Sequence, residues 1–282
     1  MTDIDAIDWN DAWKTLDLKK RAEDALANCT DRWNDTERCR KFNRRAQENN
    51  WEHGRERIQM MRITPTDRVL DIGAGPGTLA IPLAVMVRHV TAVEPSSGML
   101  ECLHGNIAEQ RITNITTLQK KWEDVDPATD LDLPYDVVVA SYSLGVYDLR
   151  AALKKMDAVS SKYAYIFWFA DMQSPRLQNY CPIWEELFGV PPKTRYTPNI
   201  IFNLIGQMGI YANVEITRTD HVSRFPSVDE AVSDQQYDLG LTEERQADVL
   251  RRFLEKTLER QNGHLILKRK SYQAKIWWEK EL

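Results

Sequence analysis

Long apolar stretches, paired cysteines and a surplus of positive charge are all missing from this 282-residue chain. No apolar run approaches the roughly 20 residues needed to cross a bilayer. The longest candidates, 79–87 and 163–170, have the length of core elements, so no membrane partner is expected. The four cysteines, Cys29, Cys39, Cys102 and Cys181, include no C-x-x-C pair, which removes the usual zinc and dithiol signatures and leaves reduced thiols as the expectation. His53, His89, His104, His221 and His264 lack the i, i+4 spacing of a helical metal pair, and no metal is expected. With 37 basic against 42 acidic residues and a net charge of -5, the chain lacks the basic surface that grips nucleic acid. Residues 1–10 are acidic and polar, without the basic start and apolar stretch of a secretory leader, so a cytoplasmic location is expected.

What is present is an ordinary globular balance, 43% hydrophobic and 28% charged, with length enough for one large domain carrying additions. Residues 1–62 hold few prolines or glycines and place Trp9, Trp13 and Leu16 at helical spacing, which predicts an N-terminal helical extension or lid. From residue 63 to 170, strand and helix patterns alternate. Strands are predicted over 68–73, 90–94, 115–119, 135–140 and 163–169, and helices over 78–87, 97–109 and 149–159. This βαβα order predicts an α/β fold, a doubly wound, mostly parallel, seven-stranded Rossmann-like sheet. Beyond residue 170, helices are predicted over 182–188, 198–208, 228–232 and 243–260, and strands over 214–218 and 272–278. Residues 171–282 would thus complete the sheet and insert helical caps over the substrate pocket.

The strongest signal is Val69-Leu-Asp-Ile-Gly-Ala-Gly-Pro-Gly-Thr78, a strand that delivers a carboxylate and then a glycine turn opening a helix. Gly73, Gly75 and Gly77 supply backbone freedom where a ligand lies against the main chain. Asp71 sits at the carboxyl end of the first strand, where open α/β sheets bind ligands. A pyrophosphate at this turn would be repelled by that carboxylate, and Thr78 replaces the third glycine of a dinucleotide fingerprint. A cationic amino group suits Asp71 instead. S-adenosyl-L-methionine carries such an ammonium. Glu94, ending the second strand, can accept hydrogen bonds from both ribose hydroxyls of a nucleoside, and Pro95 and Met99 fall where adenine would pack.

The run V-L-D-I-G-A-G-P-G-T, followed by V-T-A-V-E-P-S and D-V-V-V-A-S-Y-S-L, resembles the class I S-adenosylmethionine-dependent methyltransferases, closest to the group that methylates small molecules. The resemblance covers about residues 66–170. It implies that Gly73, Ala74, Gly75 and Gly77 line the methionine part of the cofactor, that Glu94 holds the ribose, and that Ala140 and Ser141 touch the methionine portion. Many relatives carry an aspartate where this chain has Lys121. The adenine contact therefore passes to Trp122 and Glu123, although Trp122 equally suits a core aromatic. Tyr142 and Tyr147 become candidates for the acceptor pocket or for packing alone, and Trp33, Phe42 and Trp51 fit a helix closing over the cofactor or plain packing. The segment after the fourth strand is not the N-P-P-Y of amide and adenine methyltransferases.

The expected function is methyl transfer by in-line displacement to a small-molecule acceptor, leaving S-adenosyl-L-homocysteine. The sequence names no general base. A protein or RNA methyltransferase, or a non-catalytic S-adenosylmethionine-binding regulator, are the alternatives, and an NAD-dependent oxidoreductase is disfavoured by Asp71 and Thr78.

Overall fold

The computed structural model describes residues 7–23, 33, 35–170, 179–191 and 197–280; Cys29 lies outside them. The chain forms two compact units, one of Met1–Trp168, Pro198–Glu215 and Ala274–Leu282, the other of Phe169–Thr197 and Ile216–Gln273.

The N-terminal extension contributes α1 (Trp9–Glu23), α2 (Thr36–Glu48) and α3 (Glu52–Gln59) to the first unit. Asp35 starts α2 by accepting the backbone N–H groups of Glu37 and Arg38, which would otherwise lack partners. The core follows as β1 (Arg68–Ile72), α4 (Ala80–Ala84), β2 (His89–Val93), α5 (Ser97–Glu109), β3 (Ile115–Leu118), α6 (Pro127–Asp130), β4 (Tyr135–Ser141), α7 (Leu149–Val159) and β5 (Ser160–Phe169). Ser96 and Asp148 cap α5 and α7 with side-chain oxygens. These two helices match their predicted bounds because the caps and apolar periodicity agree.

The later elements are α8 (Trp184–Phe188), α9 (Thr197–Gln207), β6 (Asn213–Phe225), α10 (Val228–Leu239), α11 (Glu244–Thr257), β7 (Glu259–Gln261) and β8 (His264–Glu279). The sheet runs β3-β2-β1-β4-β5-β8-β6, the seven strands expected, and the short β7 adds an eighth that pairs with β8 off this path. Neighbours from β3 through β5 are parallel. Ala170 N–H donates to the Tyr272 carbonyl at 2.8 Å and Lys280 N–H to the Lys162 carbonyl at 2.7 Å, so β8 runs antiparallel to β5. The order reverses direction between β1 and β4, which makes their carboxyl ends the switch point where such sheets bind ligands.

Several segments depart from the sequence expectation, among them α10, which runs to Leu239 rather than ending at 232. The helix expected over 78–87 is only Ala80–Ala84: Pro82 has no N–H to donate back to the Thr78 carbonyl, and residues 85–88 turn into β2. The helix expected over 243–260 stops at Thr257, and the last strand begins at His264, eight residues before its predicted start. Asn262 and Gly263, with φ of 50° and 79°, form a hairpin turn there that pairs β7 with β8. β6 extends to Phe225 rather than to 218.

In the first unit, Val69, Leu70, Val137, Val139 and Phe167 are fully buried, as central strands covered on both faces require. The second unit has its own apolar core around Leu187, Ala231, Leu250 and Leu254, with the buried Tyr180 hydroxyl donating to Gln235 Oε1 at 2.5 Å. Among the described residues no helix is long and apolar enough to cross a membrane.

Candidate functional site

The glycine turn leaves β1 under tight backbone control. Gly73 and Ala74 donate their N–H groups to the Val93 carbonyl at 2.8 and 3.0 Å, which locks the turn against β2. Gly73 has a φ of 72°, and a Cβ there would lie 2.3 Å from the Ser143 Cβ. Ser143 in turn donates to the Ile72 carbonyl, so the end of β1 and the segment after β4 are clamped together. Gly75, with a φ of 57°, differs: a Cβ there would meet nothing within 4 Å. The turn thus has one glycine pressed against protein and one facing open space.

Asp71 is buried at the end of β1, and its Oδ2 finds no partner among the described residues. Burial pushes its carboxyl up to about 7, against the opposing charge of Arg57; Glu94 raises it further and the Ala80 N–H lowers it. Glu94, also buried, accepts the Gly75 N–H on Oε2 and the Ser96 N–H on Oε1, both at 2.8 Å. Desolvation raises its pKa, and the two N–H groups resist that rise. An ionised carboxylate has about four acceptor positions, so two remain for a ligand.

The N-terminal helices frame this end of the first unit. From α1, the Trp13 indole donates to the Val146 carbonyl at 2.7 Å, and Asn10 bridges Asp148 Oδ1 and the Arg150 N–H. Helix α2 reaches the turn through Asn106, whose amide donates to Asn43 at 2.7 Å and to the Pro76 carbonyl at 2.8 Å. Helix α3 comes closest, because a Cβ on Gly54 would lie 1.8 Å from the Thr78 carbonyl oxygen. That carbonyl is the one Pro82 leaves without a helical donor. The approach delivers Arg57: its Nε donates to the His53 carbonyl at 2.7 Å, its Nη1 to Ser141 Oγ at 2.6 Å, and its guanidinium stands 5.3 Å from the centre of the Tyr142 ring. Tyr142 itself has a φ of 57°, a conformation a bulky residue rarely adopts, and its N–H is held by the Phe167 carbonyl at 2.9 Å.

Of the residues singled out from sequence, Asp71, Gly73, Ala74, Gly75, Glu94, Ser141 and Tyr142 are linked through these contacts. Gly77 packs inward, where a Cβ would meet Ile81 and Leu103 at 2.7 Å. Ala140 is fully buried in β4. Met99 is buried and donates its N–H to Ser96 Oγ, with Pro95 half-buried before it. Trp33 presents its carbonyl to Ser96 Oγ at 2.7 Å and its ring to Phe42. Three residues sit differently. The buried Trp122 indole donates to the Ala152 carbonyl at 3.1 Å under the Lys155 ammonium, Glu123 is exposed, and Tyr147 is exposed beside Lys14 of α1.

Sequence reasoning passed over Arg57, Ser96 and Ser143. Ser96 had a local signal, a serine opening a helix. Ser143 stood inside a quoted motif without a role, and Arg57 lies in a charged helix, Glu52–Gln59, with nothing local to separate it from Arg55. Among the described residues no cluster of three or more His, Cys, Asp or Glu side chains could hold a metal.

Comparison with known proteins fits this geometry. Residues 69–162 match the methyltransferase domain family. The chain is 29% identical to an uncharacterized protein of Haemophilus influenzae over 80% of its own length and 81% of that protein. Ribosomal RNA small subunit methyltransferase A of Thermobifida fusca is 32% identical over a shorter stretch, 29% of this chain and 32% of that one. In fold the chain is similar to the YcgJ protein of Bacillus subtilis, with a TM-score of 0.56 and 15% identity over 82% of this chain and 99% of that one. The matched domain begins on β1 and carries the Asp71 turn, Glu94 and the segment after β4, and together with the shared fold it supports a class I S-adenosylmethionine-dependent methyltransferase.

Proposed function

We propose that this methyltransferase acts on a small-molecule acceptor at the carboxyl ends of β1 and β4, and that Asp71 anchors the ammonium of the cofactor. The observation that carries the reading is the buried Asp71 carboxyl with an unpartnered oxygen, next to a glycine turn with open space at Gly75. An unsatisfied buried acceptor is expensive to maintain, roughly 1–3 kcal/mol, which favours a ligand that completes it. The residues fit the cofactor. Glu94 retains acceptor capacity for the ribose hydroxyls, Gly73, Ala74, Gly75 and Gly77 carry the backbone of the cradle, and Ala140 and Ser141 flank the methionine side. Pro95 and Met99 serve the adenine side.

Bound S-adenosylmethionine supplies a sulfonium-activated methyl group. The protein's own task is to align the acceptor and exclude water, which can lower the barrier by roughly 7–11 kcal/mol. The fixing of Tyr142 by its backbone bond and by the Arg57 cation supports a role in lining the acceptor side. Helices α1, α2 and α3, fastened at Val146, Pro76 and Thr78, support an enclosed acceptor over an extended polymer. The ribosomal RNA methyltransferase likeness covers 29% of this chain and supports no choice of acceptor.

Calorimetric titration with S-adenosylmethionine, S-adenosylhomocysteine and NAD tests the cofactor site. Binding of the first two without the third is expected, and binding of NAD alone would overturn the site assignment. Transfer of a labelled methyl group to small amines, thiols or phenols, and not to RNA or protein fractions, is the expected result for the acceptor; labelled RNA would reverse that reading. Trp122 is proposed as a packing residue. Trp122→Phe should cost about 1 kcal/mol of stability through the lost bond to Ala152 and leave S-adenosylmethionine affinity within about twofold. A tenfold loss by calorimetry would place it at the adenine.

A further inference from the structure

We propose that Arg57 holds the α-carboxylate of the cofactor's amino-acid end while Asp71 holds its ammonium, so that the site reads the zwitterion from both sides. The inference rests on the cofactor reading above and goes beyond it, because an ammonium alone is shared by every amine.

The guanidinium carries five N–H donors. Among the described residues, two are committed, one to the His53 carbonyl and one to Ser141 Oγ. Three donors of a rigid planar fork are left, the arrangement that suits a carboxylate. No carboxylate among the described residues is ion-paired with it; Asp71 and Glu56 act on it only through space. Burial disfavours its charge, so an anion placed beside it is held more strongly than at a wet surface.

Asp71 presents the complementary deficiency. Its Oδ2 lacks a donor among the described residues, and Arg57 is an opposing charge that acts on it. Two incompletely satisfied groups of opposite sign thus face one turn, and an α-amino acid carries both missing halves on adjacent atoms. Neither side chain is free to drift. Asp71 is in the central strand β1, and α3 is pressed onto the Thr78 carbonyl at Gly54, one helical turn from Arg57. The Tyr142 ring and Ser141 hydroxyl hold the guanidinium from the β4 side.

If Arg57 served only to neutralise Asp71 or to fasten α3, the ligand's carboxylate would not matter. Calorimetry with S-adenosylmethionine and decarboxylated S-adenosylmethionine separates the cases, since the second keeps the sulfonium and amine but lacks the carboxylate. The wild-type protein should prefer S-adenosylmethionine by roughly 10- to 100-fold. Arg57→Met should abolish that preference to within about threefold by weakening S-adenosylmethionine alone, and Arg57→Lys should restore part of it. Asp71→Asn should weaken both ligands in similar proportion and keep the preference. Equal weakening of both ligands by Arg57→Met, or an undiminished preference, overturns the proposal. Failure of either ligand to bind the wild-type protein would instead overturn the cofactor site on which it rests.

Discussion

Asp71→Ala should weaken S-adenosylmethionine binding by about 100-fold or more while the protein stays folded. Removing one partner of a charge-assisted hydrogen bond in a desolvated site costs roughly 2–5 kcal/mol, and about 2.7 kcal/mol is already 100-fold. The fold should tolerate the change because Asp71 is a burden to it. Its carboxyl is raised from an ordinary value of 3.8 to about 7, so the folded state binds more protons than the unfolded chain between those limits. Stability from this group is therefore lost as pH rises from about 4 to about 7, and Asp71→Ala should flatten that decline in a thermal melt. Binding should run the other way. Only the ionised carboxylate attracts the ammonium, so wild-type affinity should climb between roughly pH 5.5 and 7.5, then fall as the ligand's own α-amino group deprotonates near about 8. The alanine variant should lose the rising limb. Calorimetry across pH checks both, and unchanged affinity at neutral pH would end the assignment of Asp71.

Gly73→Ala and Gly75→Ala should fail in opposite ways although they stand two residues apart. At Gly73 a Cβ would lie 2.3 Å from Ser143 Cβ with the backbone at a φ of 72°. Left-handed strain and overpacking together predict about 2–5 kcal/mol of destabilisation. The Ser143 hydrogen bond to Ile72 would be displaced as well, so the thermal midpoint should fall sharply. At Gly75 the new methyl meets no protein atom within 4 Å. There only the strain remains, about 1–2 kcal/mol. The open space beside it is the proposed cradle, and a methyl group within it should reduce S-adenosylmethionine affinity at least about tenfold. Melting curves and titrations on the two variants read stability and binding separately; a stable Gly73→Ala or a tight-binding Gly75→Ala contradicts the division of labour.

The turn from Val69 to Thr78 was legible because each of its features is local: a β-branched strand, glycines that permit unusual φ, and a helix starting where they end. Glu94 was legible for the same reason, as the acid closing the next strand. Trp122 was not, since a buried aromatic after a strand has one pattern whether it stacks on a ligand or packs on α7. Its indole bond to Ala152 supports the packing role proposed for it, and that bond joins residues 30 positions apart. The hairpin at Asn262 and Gly263 carries an explicit turn signal, but the expected helix runs to 260, into β7, and the expected last strand starts only at 272.

By itself the sequence determined the parallel α/β core and the acids Asp71 and Glu94 that close β1 and β2, and it pointed to a cationic nucleoside over a pyrophosphate. Those follow from backbone conformation, hydrophobic period and the sign of a neighbouring charge, all short-range along the chain. The apposition of Arg57 to Asp71, the clamp of Ser143 on Ile72, and the difference between Gly73 and Gly75 were decided only when α3 and the segment after β4 packed against β1. Electrostatic and steric interactions depend on separation in space, and that separation is set by packing rather than by position along the chain.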